Sequence, residues 1–94
     1  MIILQKIDYE GNSFREDVQK LTEVHKRMQQ KLGSGEIEGP YFPQDASLLF
    51  IFHINEYDWL NRAGRLWYAE MSKEGLPFVP KSYEVAVTPE EFFG

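Results

Sequence analysis

At 94 residues, 43% hydrophobic and 27% charged, the chain has room for one domain, 1–94, with the make-up of a folded globular protein. Fifteen acidic against ten basic side chains argue against a nucleic-acid backbone as partner, because that affinity comes from clustered Lys and Arg. The absence of cysteine excludes disulfides, thiolate metal sites and cysteine nucleophiles.

The opening stretch MIILQKIDYEG has too short an apolar run for a signal-peptide core and no basic leader, so a cytoplasmic location is expected. No segment reaches the apolar length of a membrane span, and no membrane partner is expected. Residues Ile2 to Tyr9 are rich in β-branched side chains and end at the turn cluster Glu10-Gly11-Asn12, which predicts a first strand. Ser13 and Glu16 have the spacing of a capping box, and a helix should follow. Its apolar positions Phe14, Val18, Leu21, Met28 and Leu32 fall three or four apart, His25 fills the missing step, and Gly33 supplies the stop.

Glu36 to Phe42 reads as a weak strand, broken by Gly39-Pro40 and closed by Pro43, so it belongs at a sheet edge or carries a bulge. Leu48 to Ile54, LLFIFHI, is the most apolar run in the chain and reads as a central strand. Asn55 to Asp58 then caps a second helix, whose buried face should be Trp59 or Leu60, Ala63, Trp67 and Met71, ending at Gly75. Arg62 and Arg65 read as its solvated face. Tyr83, Val85 and Val87 alternate with Glu84, Ala86 and Thr88 as a fourth strand. Thr88-Pro89-Glu90-Glu91 repeats the capping signature before Phe92 and Phe93, which suggests a docked turn.

The order strand, helix, strand, strand, helix, strand predicts an α+β fold of the ferredoxin-like βαββαβ kind, an antiparallel sheet with two helices on one face. Two helices cover one face only. Yet Leu48, Phe50, Phe52 and Ile54 point to one side and Leu49, Ile51 and His53 to the other, while Ile3 and Ile7 oppose Ile2 and Leu4. A homodimer with sheets packed face to face would cover the second side; a monomer covered by its own Phe92-Phe93 tail is the alternative.

A chain of this length and element order with two-sided central strands resembles the dimeric α+β barrel superfamily. Within it, Leu76-Pro77-Phe78-Val79-Pro80 running into Tyr83-Glu84-Val85 is similar to the approach to the last strand in muconolactone isomerases. Gly33 to Pro40, GSGEIEGP, is similar to the helix-end glycine and Gly-Pro of YCII-related proteins. The YCII resemblance implies a helix-one histidine and an Asp-Pro pair; here His25 lies nearer the helix end and no Asp-Pro occurs. Trp67 and Asn12 do not form the pattern of the superfamily's monooxygenases and haem-degrading enzymes.

His53 is the first candidate site residue: either a general base with an acid such as Asp8 or Glu84 orienting its ring, or a strand-end residue bonded to solvent or backbone. His25, on the buried stripe of helix one, is either a satisfied core residue or a ligand contact. The two histidines lack metal-ligand spacing, and no metal or cofactor is expected. Gly33-Ser34-Gly35 follows a helix and is not followed by one, so it is a helix stop and not a phosphate loop. Trp59, Trp67, Tyr57 and Tyr68 crowd helix two and could wall an apolar pocket, with Gln5, Lys6 and Tyr9 supplying polar contacts.

The expected function is small-molecule binding by a homodimer of the dimeric α+β barrel type. If the protein is an enzyme, the muconolactone isomerase likeness implies cofactor-free proton transfer next to a carbonyl, with His53 as base and Tyr9 or Lys6 assisting. Gln5, Trp67 and His25 would contact the ligand. The alternative is a non-catalytic module that binds a ligand or only dimerises.

Overall fold

The computed structural model describes residues 1–94. Strand β1 (Ile2–Tyr9) leads into helix α1 (Phe14–Leu32), then β2 (Ile37–Tyr41) and β3 (Leu48–Phe52). Helix α2 (56–74) follows, its middle turn Trp59–Ala63 wound as a π-helix between α-helical ends. Strand β4 (Phe78–Ala86) and the short helix α3 (Pro89–Phe93) complete the chain. The four strands form an open antiparallel sheet in the order β2-β3-β1-β4, an α+β arrangement compatible with the ferredoxin-like topology.

Period-two alternation decides what this sheet buries. Ile3 and Ile7 on β1, with Leu48, Phe50 and Phe52 on β3, are closed from solvent beneath the helices, joined by Leu21, Val24 and Met28 of α1 and Trp59, Ala63 and Trp67 of α2. Their sheet neighbours Ile2, Leu4, Leu49 and Ile51 on the outer face are only half-buried. A shallow hollow of about 110 Å³, lined by Leu4, Lys6, Leu49, Ser82 and Glu84, opens on that face. The tail does not cover it: Phe92 and Phe93 are 73% and 83% exposed, stacked edge to face on each other.

Local chemistry sets the element ends. The Ser13 hydroxyl makes no cap, and the expected box at α1 does not form. Its place is taken by Tyr9, whose hydroxyl accepts from the Ser13 backbone N–H at 2.7 Å and donates to Asp17 Oδ2 at 2.7 Å. At α3 the capping box is complete, with Thr88 and Glu91 serving each other's backbone amides. Asn55 Oδ1 accepts from the Asp58 N–H at 2.8 Å and starts α2. Gly33 and Gly75 stop the two long helices in the left-handed conformation.

Both outer strands are irregular, as proline requires of edge positions. The β2 register against β3 breaks between Glu38 and Tyr41, where Pro40 follows a cis bond. In β4, Ser82 lies opposite Lys6 but Pro80 opposite Ile7, so Lys81 is an extra, bulged residue. The strand starts at Phe78, five residues before the sequence alternation suggests, because the Pro80 ring falls where the ladder is already interrupted.

Helix α2 also buries a charge. Glu70 is 2% exposed, and it accepts from Lys31 and, at 3.3 Å, from Arg27 of α1; Arg27 further reaches Glu74 at 2.9 Å. The Lys31 ammonium, ahead of Lys73 and Arg27, holds the Glu70 carboxyl below its usual range against the opposing effect of burial. Glu70 therefore fixes α1 to α2 from within.

Removing the largest part of the shared core tests this packing. Phe52→Ala, at a fully buried site beneath Trp59, should lower unfolding stability by about 3–5 kcal/mol in chemical denaturation, with the fold retained by circular dichroism. A loss under about 1 kcal/mol would mean the Phe52 site collapses freely and is not tightly packed.

Candidate functional site

Two irregular backbones face each other across the inner side of the sheet: the π turn of α2 and the Lys81 bulge of β4. Between them lies a cavity of about 390 Å³. Trp59, Trp67, Tyr68 and Tyr83 wall it, Gln5 reaches it from the central strand, and Arg65 stands at its rim. Pro80, Lys81 and Ser82 supply the bulged side. Gly64 lines the mouth without a side chain, and a Cβ there would come 3.0 Å from the Trp59 carbonyl oxygen. π turns and bulges recur beside binding sites because each re-aims the side chains next to it.

The polar lining is sparse and specific. Trp67 is 2% exposed, and its indole N–H is the buried side-chain group that finds no hydrogen-bond partner. An unpaired buried donor costs about 1–3 kcal/mol. Gln5, 4% exposed, lies with its side-chain amide 3.3 Å from His25 Nε2. Its other flank lines the cavity.

His25 joins this cluster from α1. Its ring lies flat on Phe50, centroids 3.6 Å apart and planes within 3°, and Nδ1 is 3.0 Å from the Leu21 carbonyl oxygen. A carbonyl only accepts, so Nδ1 bears the proton and Nε2 is an acceptor; the atom facing it at 3.3 Å is Gln5 Oε1, so the Gln5 amide has to turn over for its N–H to donate there. Burial pushes the His25 pKa down from 6.5 to about 4, opposed by its bond to Leu21. The ring is neutral at physiological pH. His25 also borders a separate groove of about 350 Å³ between α1 and β2, with Gln29, Ile37 and Gly39.

The residues expected to act with His53 are dispersed. His53 sits just past β3 on the outer face, exposed, with Nε2 2.5 Å from Glu38 Oε1 and its backbone N–H donating to the Glu36 carbonyl at 2.8 Å. The acid beside it is Glu38 of β2, not Asp8 or Glu84. Glu36, Glu38 and His53 bring their ligand atoms within 4.8 Å of one another, a grouping able to meet a divalent ion at the surface. Lys6 lies four residues along β1 from the strand's start and bonds Asp45 at 3.3 Å. Tyr9 ends the same strand on the opposite face, and partial burial, with Asp17 accepting a hydrogen bond from its hydroxyl, raises its phenol pKa. Gln5, His25 and Trp67, by contrast, do come together around one cluster.

Three contributors escape a reading of the sequence. Glu38 lies in a weak strand whose register only the fold supplies. Arg65, like Arg62, looks solvated by periodicity; in the fold Arg62 donates to the Leu32 carbonyl at 3.0 Å, whereas Arg65 borders the cavity. Lys81 enters through a bulge, for which the adjoining Pro80 is the one local signal. No family model, curated protein or solved structure matches this chain.

The buried histidine gives stability a defined pH dependence. With the folded pKa near 4 and the unfolded value near 6.5, the unfolded chain takes up the proton first, so His25 favours folding fully above pH 6.5 and loses that contribution as pH falls towards 4, about 3 kcal/mol in all. Unfolding by denaturant at about pH 7 and about pH 5 should show a drop that His25→Gln largely removes. An equal drop in both proteins would show that His25 is not held neutral by burial.

Proposed function

We propose that this chain is a ferredoxin-like subunit of the dimeric α+β barrel type that binds a small, partly apolar organic molecule in the aromatic cavity beside α2. The observation that carries this reading is a space of about 390 Å³ walled by four aromatic rings, those of Trp59, Trp67, Tyr68 and Tyr83. That volume and lining suit a small-molecule site, with an apolar body held by stacking and a few polar groups fixing its orientation.

The only two tryptophans of the chain, Trp59 and Trp67, both wall the cavity, so intrinsic fluorescence reports on it directly. Screening aromatic fragments should yield compounds that quench or shift this emission saturably, and Tyr83→Ala should weaken them roughly tenfold. Binding that leaves tryptophan emission unchanged and survives Tyr83→Ala would place the ligand elsewhere.

The half-buried strip Ile2, Leu4, Leu49 and Ile51 supports a second copy of the chain, sheet against sheet, as its cover. The exposed rings of Phe92 and Phe93 remove the tail as an alternative cover. Sedimentation at micromolar concentration should give a dimer, and Leu49→Lys should give a monomer; a wild-type monomer ends the two-sheet reading.

A second reading rests on His53 and Glu38. A carboxylate 2.5 Å from Nε2 orients the ring as a general base requires, and a partner subunit over the outer face would exclude water from it. Proton transfer next to a carbonyl is the chemistry such a base serves. Turnover of lactone or enol substrates lost in both His53→Ala and Glu38→Gln, with ligand affinity unchanged, would support it; turnover that persists in both would exclude it.

A further inference from the structure

The charge around the cavity runs opposite to the charge of the chain. Acidic side chains outnumber basic ones fifteen to ten overall, yet the charged residues lining the cavity are Arg65 and Lys81, with no carboxylate among them. The two cations are not equivalent. Lys81 is committed to Asp45 at 3.2 Å and Asp8 at 3.9 Å, and Asp45 is further held by Ser47 and Lys6. Arg27 and Arg62 likewise have acidic partners, Glu70 and Glu74 for the first and Asp58 for the second. Arg65 has neither an acidic nor a backbone partner, and it stands next to Gly64 and one turn from Tyr68 in the cavity wall.

An aromatic box alone would suit a cation as well as an anion, since ring faces attract positive charge. Here the charge of Arg65 and the lack of a carboxylate in the lining oppose a cationic ligand, and a guanidinium without a partner offers a planar fork matched to carboxylate oxygens.

Resting on the cavity reading above, we infer that the ligand is a planar apolar molecule bearing a carboxylate-type anion, bound with its ring among Trp59, Trp67 and Tyr83 and its charge on Arg65. The class is that of aryl acids. Lys81 contributes little, because its charge is already neutralised by Asp45 and Asp8.

Calorimetric titration with three probes of one ring system tests this: 2-naphthoate, 2-naphthylmethanol and 2-naphthylmethylammonium. The acid should bind about tenfold tighter than the alcohol, on the scale of one charged hydrogen bond, and the ammonium weakest of all. Arg65→Gln, at an exposed position, should bring the acid down to the alcohol while leaving the alcohol's affinity unchanged, and Lys81→Gln should alter the preference less than twofold. Equal binding of all three probes, or an acid preference that survives Arg65→Gln, would overturn the inference and leave the cavity reading standing. No binding by any probe would overturn both.

Discussion

Ile3 lies opposite Phe52 and Ile7 opposite Leu48, and through this register the two central strands present one continuous apolar layer to the helices. Because strand side chains alternate with period two, a slip by one residue would bring Leu4, Lys6, Leu49 and Ile51 under the helices and place a lysine in the core. The register is thus strongly specified. It also carries Gln5 inward between Ile3 and Ile7, at the one point where the buried layer has a polar member, and His25 descends from α1 to meet it. The pair satisfies itself and leaves Gln5 with a second surface on the cavity.

Polar groups buried in this way are costly unless matched, and the molecule matches nearly all of them. Glu70 has two cations from the facing helix, His25 has a carbonyl and an amide, and Ser47 bonds the Asp45 carboxylate at 2.5 Å. Against that background the lone unmatched indole of Trp67 stands out, and it coincides with the place where both the helix and the facing strand leave regular geometry. Real chains break local rules mainly where function requires it, and two such departures, the π turn and the bulge, flank a single cavity.

Much of the fold is legible in the chain because it rests on short-range pattern. The greasy alternation of Leu48 to Phe52, the three-and-four spacing of α1 and the stops at Gly33 and Gly75 are local signals, and the structure carries all of them. What is not legible depends on pairing between distant segments. In the capping box expected at α1, Tyr9 takes the role of Glu16, because the end of β1 lies close enough for its hydroxyl to accept from the Ser13 N–H. Phe14 fits the helix stripe by spacing yet is 47% exposed, its ring set edge-on against Tyr9 at 5.1 Å and not beneath the helix. For the site, Trp67, Gln5 and His25 stand out as unusual residues in buried patterns, whereas Glu38 and Arg65 are ordinary surface types that acquire a setting only through β2 register and the cavity wall.

The π turn of α2 explains why the sequence leaves Trp59 and Leu60 equally eligible for the buried face. An α-helix rotates about 100° per residue, so Trp59 and Trp67, eight apart, would differ by about 800°, some 80° beyond two full turns, and Leu60 would share the face of Trp67 instead. A π turn absorbs one extra residue, reducing the offset to about 700°, within about 20° of alignment. Trp59 accordingly faces in at 6% exposure and Leu60 out at 50%. The arithmetic has a further side. A helix one residue shorter between these tryptophans would be regular and still present both on the same face, so the core does not require the additional residue. Its effect is confined to the widened backbone at the cavity mouth, which marks the site as an insertion laid over a packing scheme that is complete without it.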